Sequence, residues 1–425
     1  MTLRKTSLLA TAMLGSFGFA TVAHAQAFYL QEQSARGAGR AFSGEVADTG
    51  PQSLWWNPAS IAGMEHGEAA INASGILPKG KVVNNGTQIA RPGQLNAVGG
   101  PDVARNPIDK GLLPSGAVAM PFGPVAIGLA VTSPYSFTTD YDSNSWTRYS
   151  ATRTKLQTID IQPSIAIALT DWLRVGGAAN VEHVYASLGN NLPNLLASQP
   201  DGRQKLEGDG WDLGWTAGMQ MHNDWATVGV SYKSRIEHTL KGDLLVEGLV
   251  GQLATQNRTL SDIEASFYTP AQVIVGARIR ATPQLTLNGQ AVRYNWSKFD
   301  AIRLGAPLNT ALPENYRDSY SLAGGVDYAV SPKLTLRAGV QHATTPTQNG
   351  LRDARVPDAN RWNYGAGGTF QLTPKFGINL AANYVDFDDT TIDRRSTGAY
   401  YNVATNGTLQ DAHAIVLSAG AHIGF

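Results

Sequence analysis

Apolar side chains recur at every second position through most of the chain after residue 66. Between Ile159 and Leu169 the odd positions carry isoleucine, proline and leucine, whereas the even positions carry aspartate, glutamine, serine and alanine. The stretches 316–330, 334–342 and 376–384 alternate in the same way. Because successive side chains of a β-strand point to opposite faces, this pattern predicts strands with one apolar face and one small or polar face.

The alternation predicts fourteen strands, an even number as in closed bacterial barrels. The predicted strands are 66–77, 113–121, 123–133, 155–169, 172–187, 207–222, 224–239, 266–281, 284–298, 316–330, 333–345, 360–372, 375–388 and 412–425. In the ninth strand the apolar phase slips between Ala291 and Val292, which predicts a β-bulge.

Short turns and long connections alternate between the predicted strands. Turn-forming pairs such as Thr170-Asp171 and Ser331-Pro332 separate some strands tightly. The long polar connections are 134–154, 188–206, 240–265, 299–315, 346–359 and 389–411. Outer-membrane barrels have short periplasmic turns and long extracellular loops. The fold class predicted for 66–425 is therefore all-β, a fourteen-stranded antiparallel transmembrane β-barrel.

Both ends of the chain carry export signals. Arg4 and Lys5 precede the uncharged apolar stretch 8–20, and Ala23-His24-Ala25 is a small-x-small cleavage site, so residues 1–25 are predicted to be a signal peptide. The apolar stretch is too short to span a hydrocarbon core of ~30 Å. At the other end, Phe425 closes an amphipathic strand, as is typical of chains recognised by the barrel assembly machinery. A soluble β-sandwich, the alternative, does not account for both signals and the unequal loops.

The predicted location is the outer membrane of a Gram-negative bacterium, where the chain would contact lipopolysaccharide and outer-membrane lipid. Asp386, Asp388 and Asp389 stand where a strand becomes a loop, and we interpret them as solvated or as bridging lipopolysaccharide through divalent cations.

Composition excludes several other classes of protein. Charged residues make up 16% of the chain, against ~25% in soluble domains, and 45 of its 425 residues are glycine. Lysine plus arginine equals aspartate plus glutamate at 33 each, so no basic face for nucleic acid is expected. There is no cysteine, no Gly-x-Ser-x-Gly elbow and no His-Glu-x-x-His motif. We therefore expect no enzyme, no cofactor and no metal site.

Residues 26–65 do not alternate. This stretch is small, polar and glycine-rich up to Phe42, and then contains Trp55-Trp56 followed by Asn57-Pro58-Ala59. A free periplasmic tail is one interpretation, but two adjacent exposed tryptophans would be unfavourable. We predict instead that 26–65 is an N-terminal hatch, a plug inside the barrel.

These residues carry a resemblance to a known family. The run 28–45 followed by Asn57-Pro58-Ala59 resembles the hatch of the FadL-type outer-membrane transporters of long-chain fatty acids and aromatic hydrocarbons. Further similar motifs run along the whole of 26–425, and they are Ser133-Pro134-Tyr135, Trp296-Ser297-Lys298-Phe299, Tyr316-Arg317-Asp318, Leu336-Arg337-Ala338-Gly339-Val340, Thr344-Thr345-Pro346 and Pro357-Asp358 with Arg361.

The resemblance implies passive uptake of long-chain fatty acids or related hydrophobic small molecules. Substrate would be caught at an extracellular groove and passed to an interior apolar pocket that the mature N-terminus reaches, and a kinked strand beside the hatch would offer a way out. Uptake of monoaromatic hydrocarbons is one alternative. A surface adhesin or binding barrel without transport is the other.

Candidate site residues follow from the resemblance and from the alternation. By resemblance, Phe28, Tyr29 and Leu30 would enter the pocket, or else only pack the hatch. By alternation, Arg317 would face the lumen, where it would pair with a substrate carboxylate or with an acid such as Asp327.

The Asn57-Pro58-Ala59 turn is the candidate gating element of the hatch. Because proline disfavours helical geometry in the residue before it, Asn57 should be extended, with its amide free to bond a neighbouring strand.

Overall fold

The computed structural model describes residues 28–425 and contains a closed antiparallel barrel of fourteen strands. The predicted signal peptide, residues 1–25, lies outside the described residues. In chain order the barrel strands are β1 (Glu68–Asn84), β2 (Gly111–Phe122), β3 (Val125–Thr132 and Ser136–Asp140), β4 (Arg153–Ala168), β5 (Leu173–Leu192), β6 (Gly202–His222), β7 (Ala226–Lys233 and Ile236–Glu247), β8 (Arg258–Thr269 and Gln272–Arg280), β9 (Leu285–Tyr294), β10 (Ser319–Ser331), β11 (Leu334–Ala343), β12 (Arg361–Thr373), β13 (Phe376–Phe387) and β14 (Gly407–Gly424).

Each strand pairs with its neighbours in the sequence, and β1 pairs with β14 from Glu68–Gly424 to Asn84–Gly407. This last pairing closes the sheet and leaves the wall without free edges. The predicted number of strands is confirmed. Strands β5 to β8 extend further than predicted, because much of the expected loops 188–206 and 240–265 continues the strand ladders.

Short elements complete the described chain. One α-helical turn, α1, covers Ala35–Ala38. The 3₁₀ turns are Glu45–Ala47, Pro51–Ser53, Pro58–Ile61, Gly251–Gln256 and Trp296–Lys298. Short strands that extend the wall are Val103–Arg105, Ala301–Leu304, Thr310–Pro313 and Thr390–Ile392, and a separate small sheet consists of Gln88–Arg91, Gln94–Ala97, Arg395–Thr397 and Asn402–Ala404. Within 28–425, no helix has the length and apolar character to cross a bilayer.

The alternating faces have the orientation expected for a protein surrounded by lipid. In β10, Tyr320 and Leu322 are exposed on the outer surface, whereas Ser319 and Ser321 are buried. Exposed apolar side chains at every second position match the hydrocarbon around the barrel, and the polar residues between them face the interior.

The predicted bulge in β9 is wrong. Pairing with β10 runs without a shift from Leu285–Tyr328 to Tyr294–Ser319. Val292 is buried on the inner face because the interior becomes apolar at this level. The phase of the apolar pattern changes there, while the register of the strand does not.

Three strands of the wall are interrupted. Strand β3 breaks at 133–135, and its pairing with β2 ends at Gly116–Val131. The breaks in β7 and β8 lie opposite each other, between the pairs Lys233–Gln272 and Ile236–Thr269.

Residues 28–62, here called the inner segment, are buried almost throughout and pack against strands from every side of the barrel. Helix α1 contacts β12, β13, β14 and β1, and the turn Glu45–Ala47 contacts β7 and β8. The turn Pro58–Ile61 contacts β4, β5 and β6. The inner segment therefore lies inside the lumen.

Buried ion pairs connect the inner segment to the wall. The Arg40 guanidinium, which is fully buried, pairs with Glu45 and Asp48 of the segment. It also donates to Asp327 of β10 at 3.0 Å, and Arg278 of β8 donates to the same carboxylate at 2.9 Å. Each buried charge thus has an oppositely charged partner, as burial requires.

Candidate functional site

An apolar cavity lies on the loop side of the inner segment and contains about 770 Å³ of empty space, part of which is open to solvent. The lining residues are Phe28, Phe137, Thr154, Lys155, Leu156, Ala186, Leu188, Leu206, Glu207, Gly208, Leu240, Gly242, Ile263, Ala265, Phe267, Phe299, Ile302, Glu314, Tyr316, Arg355 and Val356.

Phe28 brings the start of the inner segment into the cavity. Its ring stacks on Phe137, with centroids 5.7 Å apart, and meets Trp296 edge-on at 4.9 Å and Phe299 at 5.6 Å. Edge-on and offset aromatic pairs are favourable contacts beyond the area they bury. The ring of Phe28 thereby forms part of the apolar floor of the cavity.

Tyr29 and Leu30 do not line the cavity. Tyr29 packs deeper in the barrel against Trp55 and Tyr294, with ring centroids 5.9 and 5.0 Å away. Leu30 is fully buried in a separate apolar cluster with Ile76 and Leu113. Of the three residues expected in the pocket, the structure places only Phe28 there.

The start of the inner segment also closes the break in β3. The Leu30 N–H donates to the Pro134 carbonyl at 2.7 Å, and the Ser136 N–H donates to the Phe28 carbonyl at 3.0 Å. The Gln33 amide donates to the Ser133 carbonyl at 2.9 Å. Residues 28–30 therefore act as a short strand added at the break. Phe28 is part of this strand and also forms part of the cavity floor.

Arg355, from the loop 344–360, places a cation in the apolar wall of the cavity. Its guanidinium donates to the Asn190 side-chain oxygen at 3.1 Å and to Thr154 Oγ1 at 3.4 Å. The carboxylate of Asp353 lies 4.0 Å from Nε. Burial lowers the pKa of Arg355 below its ordinary value, so the site is a weakly compensated positive charge beside apolar surface.

Glu314 is a carboxylate in the same wall. Arg394, from the loop 388–406, lies 3.2 Å from it and also 3.2 Å from Asp353. Burial raises the pKa of Glu314 to about 7, although the charge of Arg394 opposes the shift.

Two further ionisable residues line the cavity near its outer rim. Lys155 lies over the ring of Tyr185, 5.5 Å from its centroid. Glu207 accepts a hydrogen bond from the Tyr185 hydroxyl at 3.1 Å and pairs with Lys205 at 2.7 Å. The charge of Glu207 is thus compensated locally.

Asn57 has the extended backbone that the following proline predicts, with φ −152° and ψ 111°. Its side-chain oxygen accepts from the Ala59 N–H at 3.0 Å and caps the turn that begins at Pro58. Its side-chain NH₂ donates to the Val46 carbonyl at 2.7 Å and to the Met219 carbonyl of β6 at 3.2 Å. The predicted contact with the backbone of a strand is confirmed. The strand is β6, which does not contain the break in β3.

Two wall glycines make room for this turn. A Cβ at Gly218 of β6 would collide with the Asn57 side chain, and one at Gly176 of β5 would collide with Pro58 and Ala59. The turn therefore rests directly on the backbone of two strands.

Arg317 does not line the cavity. It precedes β10, is exposed, and its backbone N–H donates to the Pro346 carbonyl at 2.9 Å. Alternation of faces holds only within a strand, and β10 begins at Ser319. The neighbouring Tyr316, which the alternation assigns to the outer face, is buried and lines the cavity.

The suggested partner of Arg317 is engaged elsewhere. Asp327 pairs with Arg40, Arg278 and Arg337 on the side of the barrel that the inner segment fills. It does not reach the loop that carries Arg317.

Sequence reasoning missed Arg355 and Glu314, because both lie in polar connections that show no alternation. The apparent slip at Val292 was a usable signal, since it marks the level at which the inner face becomes apolar.

Comparison with known proteins agrees with this architecture. A model of the family described as "Outer membrane protein transport protein (OMPP1/FadL/TodX)" matches residues 17–425. A long-chain fatty acid transport protein of Escherichia coli O6:H1 is 25% identical, over 91% of this chain and 93% of the relative. Outer membrane protein P1 of Haemophilus influenzae is 24% identical, over 89% of each chain.

Solved structures share the fold. The crystal structure of a Pseudomonas aeruginosa FadL homologue superposes with a TM-score of 0.83 at 23% identity, covering 94% of this chain and all of that one. The Pseudomonas putida toluene transporter TodX superposes with a TM-score of 0.69 at 15% identity, covering 93% and 99%.

Proposed function

We propose that this chain, which belongs to the family of outer membrane transport proteins described as OMPP1/FadL/TodX, takes up long-chain fatty acids or related hydrophobic compounds by passive diffusion. It lies in the outer membrane of a Gram-negative bacterium and is a transport protein rather than an enzyme. The names of its relatives support the substrate class, since one is a long-chain fatty acid transport protein and another a toluene transporter.

One observation carries the proposal, namely the apolar cavity that lies above a segment closing a break in the wall. A water-filled pore gives an apolar solute no favourable transfer free energy, whereas a dry cavity contributes ~0.8 kcal/mol per buried CH₂. Substrate would bind in the cavity against Phe28. Movement of residues 28–30 away from Pro134 and Ser136 would then open the β3 break towards the membrane.

Arg355 is the proposed partner of a substrate carboxylate. Its guanidinium lies among apolar lining residues, and its nearest carboxylate, Asp353, is 4.0 Å away. A bidentate carboxylate would satisfy the fork of an arginine better than these partners do. The alkyl chain would extend along Leu156, Leu240 and Phe267, which line the same cavity.

The test is ligand binding to purified Arg355→Gln. Because a hydrogen bond to a charged group contributes about 1.5–3 kcal/mol, affinity for oleate should fall about tenfold or more. Affinity for a neutral alkanol of similar length should stay within about twofold. Lys241→Gln, on an exposed side chain of β7, is the matched control and should bind both ligands as the wild type does. An equal loss of affinity for both ligands would remove Arg355 from the proposed head-group site.

Monoaromatic hydrocarbons are the second candidate substrate class, and a surface adhesin is the third possibility. Growth of a deletion strain on oleate and on toluene separates them. Loss of growth on oleate alone supports fatty acid uptake, and loss on toluene alone supports hydrocarbon uptake. Unchanged growth and uptake on both would favour the adhesin.

Lipopolysaccharide is the proposed lipid neighbour on the loop side. Asp386, Asp388 and Asp389 end β13 on this side, where divalent cations would bridge them to lipid phosphates. Replacing all three with asparagine should weaken co-purification of lipopolysaccharide, measured with and without EDTA.

The barrel assembly machinery is the proposed partner of the C-terminal strand. The Phe425 N–H donates to the Gly67 carbonyl at 2.8 Å, and the ring packs over Gly67 at the seam between β14 and β1. Phe425→Ala should lower the amount of protein in the outer membrane without changing uptake per folded molecule.

A further inference from the structure

We propose that Glu314 is a specificity-determining residue of the cavity, at which binding of an anionic head group is coupled to uptake of a proton by the Glu314 carboxylate. The inference rests on the proposed function, because it requires a hydrophobic ligand in the cavity. It adds a pH dependence of affinity that anionic ligands show and neutral ligands do not.

The position of Glu314 suits this role. Its carboxylate lines the same cavity as Arg355, and its side chain is 11% exposed. Its ion-pair partner Arg394 is 3.2 Å away and is shared with Asp353 at the same distance. When Glu314 takes up a proton, Arg394 therefore keeps a carboxylate partner. Neutralisation of Glu314 leaves no unpaired buried cation behind.

The other charges around Glu314 do not replace it. The loop 344–360 presents Asp353 and Arg355, and the loop 388–406 presents Arg394. Across the cavity, Lys155 lies over an aromatic ring, and Glu207 is paired with Lys205.

The neighbour of Glu314 in its own segment, the buried Tyr316, stays neutral because burial raises the pKa of its hydroxyl well above the ordinary value. Glu314 is thus the acid of the cavity wall whose protonation changes the charge that an entering anion meets.

Electrostatics then sets the direction of the effect. An anionic head group beside Arg355 is repelled by an ionised Glu314 and not by a protonated one. Because burial raises the pKa of Glu314 to about 7, we expect its carboxyl group to change protonation state around neutral pH. If only the protonated form accepts the anion, the apparent affinity scales with the protonated fraction. Affinity for an anion should be nearly constant below pH 6 and fall about tenfold between pH 6 and pH 8.

The experiment measures binding of two hexadecyl probes to the full chain in nanodiscs between pH 5.5 and 8.5. Hexadecyl sulfonate stays anionic over this range, so its own titration cannot produce a slope, and hexadecanol is neutral. We expect the sulfonate Kd to rise about tenfold from pH 6 to 8 and the alkanol Kd to stay constant. Glu314→Gln should bind the sulfonate tightly at every pH.

Glu207→Gln is the matched control, because Glu207 lines the cavity but is paired with Lys205. It should keep the wild-type pH slope. A heat-modifiable gel shift confirms that each variant is folded, and the wild-type slope tests the proposal even if Glu314→Gln fails to assemble.

Two results would overturn the inference: a sulfonate Kd that does not change with pH in the wild type, or a slope that persists in folded Glu314→Gln. Both leave the proposed function intact as long as hexadecanol binds. Failure of both probes to bind at any pH would overturn the proposed function as well.

Discussion

Asn57 is completely buried, and its side chain satisfies three backbone groups, those of Ala59, Val46 and Met219. Only the last of these belongs to the wall. A single amide therefore joins the capped turn to the rest of the inner segment and to β6, so its removal should change the position of the segment rather than the pairing of the barrel.

The first prediction concerns this turn. Asn57→Ala combined with Pro58→Ala removes the hydrogen bonds of the Asn57 side chain to the buried backbone groups of Ala59, Val46 and Met219, at a cost of about 1–3 kcal/mol. It also removes the fixed φ of the proline. Substrate uptake should fall several-fold, while the amount of protein at the cell surface and the heat-modifiable gel shift stay as in the wild type. Normal uptake kinetics would show that the turn has no gating role, and loss of the folded band would assign both residues to assembly.

The contact between Asn57 and β6 can also be tested by changing a residue of β6. A methyl group at Gly218 would collide with the Asn57 side chain, so Gly218→Ala should reproduce the defect in uptake. Gly289→Ala in β9 is the matched control, because a Cβ there meets no atom within 4 Å. Equal uptake by the two glycine variants would contradict the proposed importance of the contact.

At the scale of elements, the break in β3 and residues 28–30 form one unit. Tyr29 and Tyr135 form an isolated antiparallel bridge, with hydrogen bonds on either side of the pair. Such a non-hydrogen-bonded pair has Cα atoms about 4.5 Å apart, which is within the range that a disulfide spans. The wild-type chain contains no cysteine that would interfere.

The second prediction follows from this geometry. Tyr29→Cys with Tyr135→Cys should form a disulfide in the oxidising periplasm and hold the break closed. Uptake should be lost in the oxidised variant and recover when a reductant is added, as measured with a labelled fatty acid. The two single cysteine variants are controls and should not respond to the reductant. Unchanged uptake by the cross-linked protein would show that substrate does not leave through this break.

At the scale of the whole molecule, the pairing that closes the sheet includes no residue of the inner segment. The pairing of β1 with β14 begins at Glu68, after the inner segment has ended. Without residues 26–45, Asp327 would lose Arg40 but keep Arg278 at 2.9 Å and Arg337 at 3.5 Å. Asp48 would keep Arg278 at 3.4 Å.

The third prediction is that a chain lacking 26–45 still assembles as a heat-resistant barrel but has lost or unregulated uptake. The strand ladders persist, whereas Phe28 and the strand that closes the β3 break are absent. Gel mobility before and after heating measures assembly, and uptake of labelled oleate measures transport. A deletion variant that fails to assemble would show that the segment is needed for folding.

The number of strands, the face of most strands that meets lipid, and the unequal lengths of turns and loops were all predictable from the amino-acid pattern. Alternation with a period of two is a local property of a strand, so it can be recognised without knowing which strands pair with it. The extended backbone of Asn57 was equally predictable, since the next residue, Pro58, imposes it. The division into hatch and barrel, and the gating role of the turn, stay predictions.

The residues that line the cavity could not be predicted in this way, because they come together only in the folded barrel. Arg355 meets Asn190 across 165 positions of sequence, and Glu314 meets Arg394 across 80. These residues lie in connections without alternation, where no local pattern indicates which side chain turns inward. Side chains alternate between the two faces only within a strand, and β10 begins at Ser319. For this reason Tyr316 lines the cavity, although alternation assigns it to the outer face, whereas Arg317 does not.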